Sequence, residues 1–197
     1  MAHPVLAYTS DTYSVHTNLT QDSTTNHTMQ AAVNWPQKYH PGTTDNFVSN
    51  EVYVPGTTVE RVWDYLATIT KWESYYDNVG QITPPSSGPV LHEGDKFSFS
   101  TFGFPPLQAE VHESVPPTDN KPGRLAWRAW QEGDEDTALD IYHAWIVEKT
   151  EWGVIRILTQ ESQIGKPAAQ LATQKPNPML NGHQAWLDGL AEIARSG

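Results

Sequence analysis

The strongest constraint on this chain is a pair of alternating runs either side of a short turn, DIYHAWIVEKTEWGVIRILTQESQIG at residues 140–165. Successive side chains of a strand point to opposite faces. Ile141, His143, Trp145 and Val147 therefore share one face, and Tyr142, Ala144, Ile146 and Glu148 the other. In the second run Ile155, Ile157, Thr159, Glu161 and Gln163 lie opposite Arg156, Leu158, Gln160 and Ser162. Glu148 and Arg156 suit water, so the first set of each run is expected to face inward. A turn centred near Glu151 and Trp152 then pairs Val147 with Ile157, Trp145 with Thr159 and His143 with Glu161. The same pairing carried across the acidic turn EGDEDT sets Trp127 beside His143, although a slip of one residue would reverse every assignment. An apolar hairpin face is thus expected to carry an imidazole opposite a carboxyl group.

The rest of the chain gives that hairpin its setting. Residues 1–45 are rich in Thr, Ser, Asn, Gln and His without a sustained period, and read as a polar N-terminal extension. Val5, Leu6, Tyr8, Tyr13, Val33 and Trp35 are its candidate anchors. A domain then spans residues 46–197. NFVSNEVYV reads as a strand ended by Pro55-Gly56. Thr57, three before Glu60, makes a capping-box start for a helix carrying Val59, Val62, Trp63, Leu66 and Ile69. TKWESYYDN suggests a second short helix and PPSSGP a loop. KFSFSTF, LQAEVHES, GRLAWRAW, ALDIYHAWIVE and VIRILTQESQ follow as strands, which favours an antiparallel meander of about six strands. KPAAQLATQ begins a helix that KPNP breaks, and a longer one resumes with Met179, Trp186, Leu190 and Ile193 on one stripe. The last helix is the only element long enough to cover the sheet, and a bent sheet gripping a helix leaves a cavity between them.

This order of elements, with RLAWRAW, HAWIVE, TQESQIG and NPMLNGHQAWLDGLA, resembles the START/Bet v 1-like (SRPBCC) superfamily and its polyketide cyclase/dehydrase-like members. The resemblance covers residues 46–197, and the polar extension departs from it. It implies an α+β helix-grip fold: a curved antiparallel sheet around a long C-terminal helix, with an internal hydrophobic cavity. Such folds serve cyclases, aromatases, hydrolases and carriers alike, so function must be argued from the site.

His183 falls between Met179 and Trp186 on the apolar stripe, so His143, Glu161 and His183 are expected to converge on the cavity as the candidate catalytic residues. An ionised carboxylate buried without a partner costs several kcal/mol, so an inward Glu161 must be paired, protonated or solvated. Three readings stay open. The histidine and glutamate form a structural cross-strand pair, or they are an acid–base couple, or the three residues are zinc ligands with an open fourth position. The resemblance includes zinc-dependent hydrolases, but the residue four beyond His183 is Leu187 rather than a carboxylate. Neither metal nor cofactor is assigned on this reading. Phe97, Phe99, Trp127, Trp145 and Trp186 are candidates to line a pocket for a flat ligand. Ala129, Thr159 and Met179 share their faces. Trp63 and Trp72 read as core, and Tyr75 and Tyr76 as surface packing or a hydroxyl at the entrance. The apolar tip Phe102-Gly103-Phe104-Pro105-Pro106 would be costly to expose and suits a lid or a homodimer contact.

The expected activity is binding of a small hydrophobic, aromatic or polyketide-like molecule with acid–base cyclisation or dehydration. A non-catalytic carrier or sensor is the rival, and a zinc-dependent hydrolase the third possibility. A net charge of −11, from 12 basic and 23 acidic residues without a basic cluster, argues against nucleic acid or an anionic membrane as partner. No cysteine is present to make a disulfide or a thiolate site. MAHPVLAYTS lacks a signal-peptide pattern and no run suits a membrane helix, so a soluble, cytoplasmic protein is expected. Asn18-Leu19-Thr20 and Asn26-His27-Thr28 match a glycosylation sequon by chance composition. Gly-rich phosphate loops, G-x-S-x-G, H-E-x-x-H and EF-hand loops are missing, and DEDTALD reads as a solvated turn.

Overall fold

The computed structural model describes residues 29–118 and 120–196. In chain order these form β1 (Asn46–Val54), α1 (Val59–Ala67), a short 3-10 helix (Ile69–Ser74), β2 (Val79–Thr83), β3 (Lys96–Thr101) and β4 (Leu107–Val115). There follow β5 (Gly123–Gln131), β6 (Leu139–Lys149), β7 (Ile155–Ile164), α2 (Lys166–Thr173) and α3 (Pro178–Arg195). The strands make one antiparallel sheet in the order β1-β7-β6-β5-β4-β3-β2. The predicted registers are all present: Val147 opposes Ile157, Trp145 opposes Thr159, His143 opposes Glu161, and Trp127 opposes His143. The α+β helix-grip architecture follows, with a curved sheet and α3 lying across its inner face.

Local chemistry sets the element ends. Thr58, rather than the expected Thr57, caps α1 by accepting the Arg61 N–H at 3.2 Å. The Thr57 hydroxyl instead donates to the Ala194 carbonyl at 2.7 Å and ties the start of α1 to the end of α3. The helix breaks at KPNP as expected, and the Asn177 side chain caps α3 through the Met179 N–H at 3.0 Å. Met179, Trp186 and Leu190 are buried along α3, joined by His183, Leu187 and Ala194. β2 escapes sequence patterning because Gln81 takes a φ of 50° and the pairing slips between Gly80 and Thr83, which destroys the alternation.

The outer face of β6 and β7 is covered, not wet. Tyr39 is buried there and stacks on Tyr142 with ring centroids 5.3 Å apart. Trp35 packs on both Tyr142 and Phe47, and Trp35, Tyr39 and Tyr142 form a second apolar cluster with Val33, Ala126 and Ala144. Asp140 accepts from Tyr39 Oη at 2.8 Å and Arg128 Nε at 2.8 Å and pairs with Lys38. It therefore belongs to this layer, whereas Asp134–Thr137 is the exposed turn. Arg156, expected in water, is 6% exposed. A guanidinium under such a layer must be paired, and it meets Glu148 at 2.6 Å, Glu51 at 2.9 Å and the Ala31 carbonyl at 3.2 Å. Val33 and Trp35 thus anchor the extension. The other candidate anchors Val5, Leu6, Tyr8 and Tyr13, and both sequons, lie outside the described residues. No helix among the described residues is long and apolar enough to cross a membrane.

Candidate functional site

Strand parity turns Glu161 of β7 inward, and it is buried at 4% exposure. Its Oε2 lies 3.0 Å from His143 Nδ1 on β6 and 3.4 Å from His183 Nε2 on α3. The two imidazoles stack face to face, with centroids 4.6 Å apart and planes 13° from parallel. The three predicted residues therefore meet, each carried by a different element. Two of the three are held from behind. His143 Nε2 lies 2.7 Å from Thr159 Oγ1, and Glu161 Oε1 accepts from Gln163 Nε2 at 2.6 Å. Gln163 in turn accepts from Asn46 at 2.6 Å, and Asn46 from Asn177 at 2.9 Å. Sequence patterning does not reveal this amide chain, which runs from the α3 cap to the carboxylate; the inward parity that Gln163 shares with Glu161 is its one visible sign.

Electrostatics fix the proton positions. Burial alone would raise the Glu161 carboxyl, but the flanking His183 and His143 outweigh it and hold it below the usual carboxylate range. Burial pushes the His143 imidazole down to about 4, against the pull of Glu161 and with the help of His183. His143 is thus neutral at physiological pH beside an ionised, accept-only Glu161. The tautomer that satisfies both contacts carries the proton on Nδ1, toward Glu161, and accepts the Thr159 hydroxyl at Nε2. His183 Nδ1 is buried and makes no hydrogen bond, as are Trp127 Nε1 and Trp145 Nε1.

The space beside the cluster is small. Of the residues singled out in the sequence, Phe99, Trp127, Ala129, Met179 and Trp186 line it together with His143, Glu161 and His183. Phe97, Trp145 and Thr159 are buried but do not line it; Thr101, Phe102, Leu107 and Ile141 complete its wall. Its volume is about 20 Å³, room for one water rather than a polyketide. Aromatic packing is the reason. Trp72 is fully buried with its ring 5.1 Å from Trp186, 5.4 Å from Trp127 and 5.8 Å from Phe99. Tyr76 stacks on Trp186 at 4.5 Å and is therefore core rather than entrance, while the Tyr75 hydroxyl donates to the Tyr65 carbonyl at 3.2 Å. The tip after β3 folds back so that Phe102 and Phe104 are half-buried. A larger groove of about 600 Å³ lies on the other side, against Met29, Lys121 and Trp152, and none of the predicted site residues lines it.

No protein-family model matches the chain, and no curated protein matches it. Among solved structures, the hypothetical protein jhp0584 from Helicobacter pylori is 48% identical and superposes with a TM-score of 0.80, covering 85% of this chain and 99% of its own. The di-domain ARO/CYC protein BexL of the BE-7585A biosynthetic pathway is 9% identical, with a TM-score of 0.53 over 75% of this chain and 45% of its own. Norcoclaurine synthase from Thalictrum flavum is 10% identical, with a TM-score of 0.52 over 77% of this chain and 94% of its own. At such identities the last two carry the fold alone, which is Bet v 1-like.

Proposed function

We propose, from the premise that this chain belongs to one family with the hypothetical protein jhp0584 from Helicobacter pylori, that it admits a small, largely apolar molecule between sheet and α3 and acts on it by proton transfer. The observation that carries this reading is the convergence of two imidazoles on one buried carboxylate oxygen inside an aromatic wall. The distant fold neighbours lend support, since one is named a cyclase and the other a synthase.

In this reading Glu161 holds the His143 ring by its Nδ1 proton, and Nε2 is the basic atom that exchanges the Thr159 hydroxyl for a substrate proton. A positioned base of this kind supplies roughly 10²–10⁴-fold in rate, and enclosure of a flexible substrate supplies orientation. Cyclisation or dehydration of a polyketide-like substrate fits these parts. Space must first be made, and Thr101 and Phe102, at the half-buried tip, are the wall residues that are not fully buried.

A neutral fluorescent naphthylamine dye tests the pocket. The wild-type chain is expected to take it up stoichiometrically, and Ala129→Trp, which fills the wall, to lose uptake about tenfold or more, as a buried site of this kind requires. Glu161→Gln should keep uptake yet abolish turnover of a β-ketoacyl thioester probe. Absence of dye uptake by the wild type overturns the reading.

A further inference from the structure

We propose that His143, Glu161 and His183 together hold one divalent transition-metal ion, for which Zn²⁺ suits the donors. The proposal rests on the preceding reading only in taking this cluster as the working centre; with the ion bound, the ion and not His143 Nε2 is the agent there.

The geometry is that of a ligand set. Zinc binds imidazole nitrogen and carboxylate oxygen at about 2.0–2.2 Å, which in a tetrahedron puts ligand atoms about 3.3–3.5 Å apart. Here Glu161 Oε2 stands 3.0 Å from His143 Nδ1 and 3.4 Å from His183 Nε2, and the three donor atoms all lie within 4.8 Å of one another. Glu161 Oε2 is already at ligand spacing from both nitrogens, and the two imidazoles, stacked with their planes 13° apart, must tilt out of the stack for both nitrogens to point at one ion. The donors come from β6, β7 and α3, elements locked by the sheet register and by helix packing, so this is not a mobile surface cluster.

The outer contacts match at His143 and Glu161. Ligating histidines and carboxylates are held by second hydrogen bonds that set their orientation. With an ion on Nδ1, the His143 proton moves to Nε2 and is donated to Thr159 Oγ1, already 2.7 Å away. Gln163 already holds the free oxygen of Glu161, and Asn46 and Asn177 support it from behind.

A hydrogen-bonded triad leaves two observations unexplained. His183 is 1% exposed and its Nδ1 has no hydrogen-bond partner, so no bond at that nitrogen restrains the ring from adjusting to an ion. A cavity of about 20 Å³, bordered by all three residues, is left at the cluster. That is room for one water in the fourth position of a two-histidine, one-carboxylate centre. The ion also brings positive charge to a carboxylate that burial has stripped of water.

The test uses the untagged full-length chain, stripped with chelator and titrated with Zn²⁺ by calorimetry, with Co²⁺ as a visible-absorption probe. One ion per chain is expected. Glu161→Gln and His183→Asn should each weaken binding by about 100-fold or more, and Thr159→Val by about 10–100-fold, with folding checked by circular dichroism. Failure of the folded wild type to bind Zn²⁺, Co²⁺ or Fe²⁺ stoichiometrically overturns the proposal. So does binding that both ligand substitutions leave unchanged. Dye uptake is read separately: uptake without metal removes the ion and keeps the ligand reading, while metal without uptake does the reverse.

Discussion

The ring of Phe102 rests against the backbone of Gly182 so closely that a β-carbon at residue 182 would stand 1.9 Å from Phe102 Cζ and 2.3 Å from Cε1. A glycine inside a helix costs about 1 kcal/mol relative to alanine, and this close approach is what it makes possible in α3. Phe102 itself holds a φ of 53° and forms part of the cavity wall. Gly182→Ala should therefore expel the ring and open the site. Faster amide exchange over residues 101–106 and increased dye uptake are the expected readouts. Stability should change by no more than about 1–2 kcal/mol, because the higher helix propensity of alanine offsets the weaker packing of the displaced ring. Unaltered exchange at the tip would contradict a gating role for Phe102.

Acid should destabilise the metal-free protein early. His143 is held at about 4 against an ordinary 6.5, so between those values the unfolded chain takes a proton that the folded chain refuses. Stability that is fully present above about 6.5 then falls away as the pH drops toward 4, on the order of 3 kcal/mol for this group. Glu161, lowered from an ordinary 4.5, adds a loss of the same sign below that value. Thermal melts from pH 8 to 4 measure this, and His143→Gln should flatten the limb between 6.5 and 4. A melting temperature constant from pH 7 to 4.5 would refute it.

Removing the carboxylate should be worse than neutralising it. Glu161→Ala strands two imidazoles and the Gln163 amide, at an expected cost of about 3 kcal/mol or more. Glu161→Gln keeps shape and most hydrogen bonds, for about 1–2 kcal/mol. Urea titration of both variants decides it, and equal losses would mean that the shape and hydrogen bonds kept by Gln contribute nothing, the lost charge accounting for the whole effect.

Arg156→Ala should loosen the outer layer. It leaves Glu148, with a side chain 14% exposed, and the Ala31 carbonyl without their guanidinium, for about 2–3 kcal/mol. Glu51 is 43% exposed and adds little. Faster proteolysis within residues 29–45 is expected, and Arg156→Lys should restore resistance only in part, since it lacks the planar fork. Cleavage unchanged from wild type would show that the aromatic contacts of Tyr39 and Trp35 suffice.

The central hairpin was legible because two long strands joined by a short turn have one register that buries all their apolar side chains, and that register opposes His143 to Glu161. His183 was legible from its place on the α3 stripe. The amount of free space was not, because volume depends on how rings from separate elements meet. Trp72 arrives from the helical segment to fill the region between Trp127 and Trp186, which no local pattern encodes. The cover on the outer face was hidden for a similar reason: Trp35 and Tyr39 sit within a polar stretch whose composition suggests solvent. The Asn46, Gln163 and Asn177 chain joins residues far apart in sequence, each ordinary alone. Sequence alone does not assign a metal, since the three donors share no fixed spacing.

His183 sits on α3, and this ties the centre to the core. Docking of α3 on the sheet takes water from the Glu161 carboxylate, brings the second imidazole to it and covers the indoles of Trp127 and Trp145 with that of Trp186. A sheet without this helix has neither a centre nor a finished core, so the two are gained and lost together.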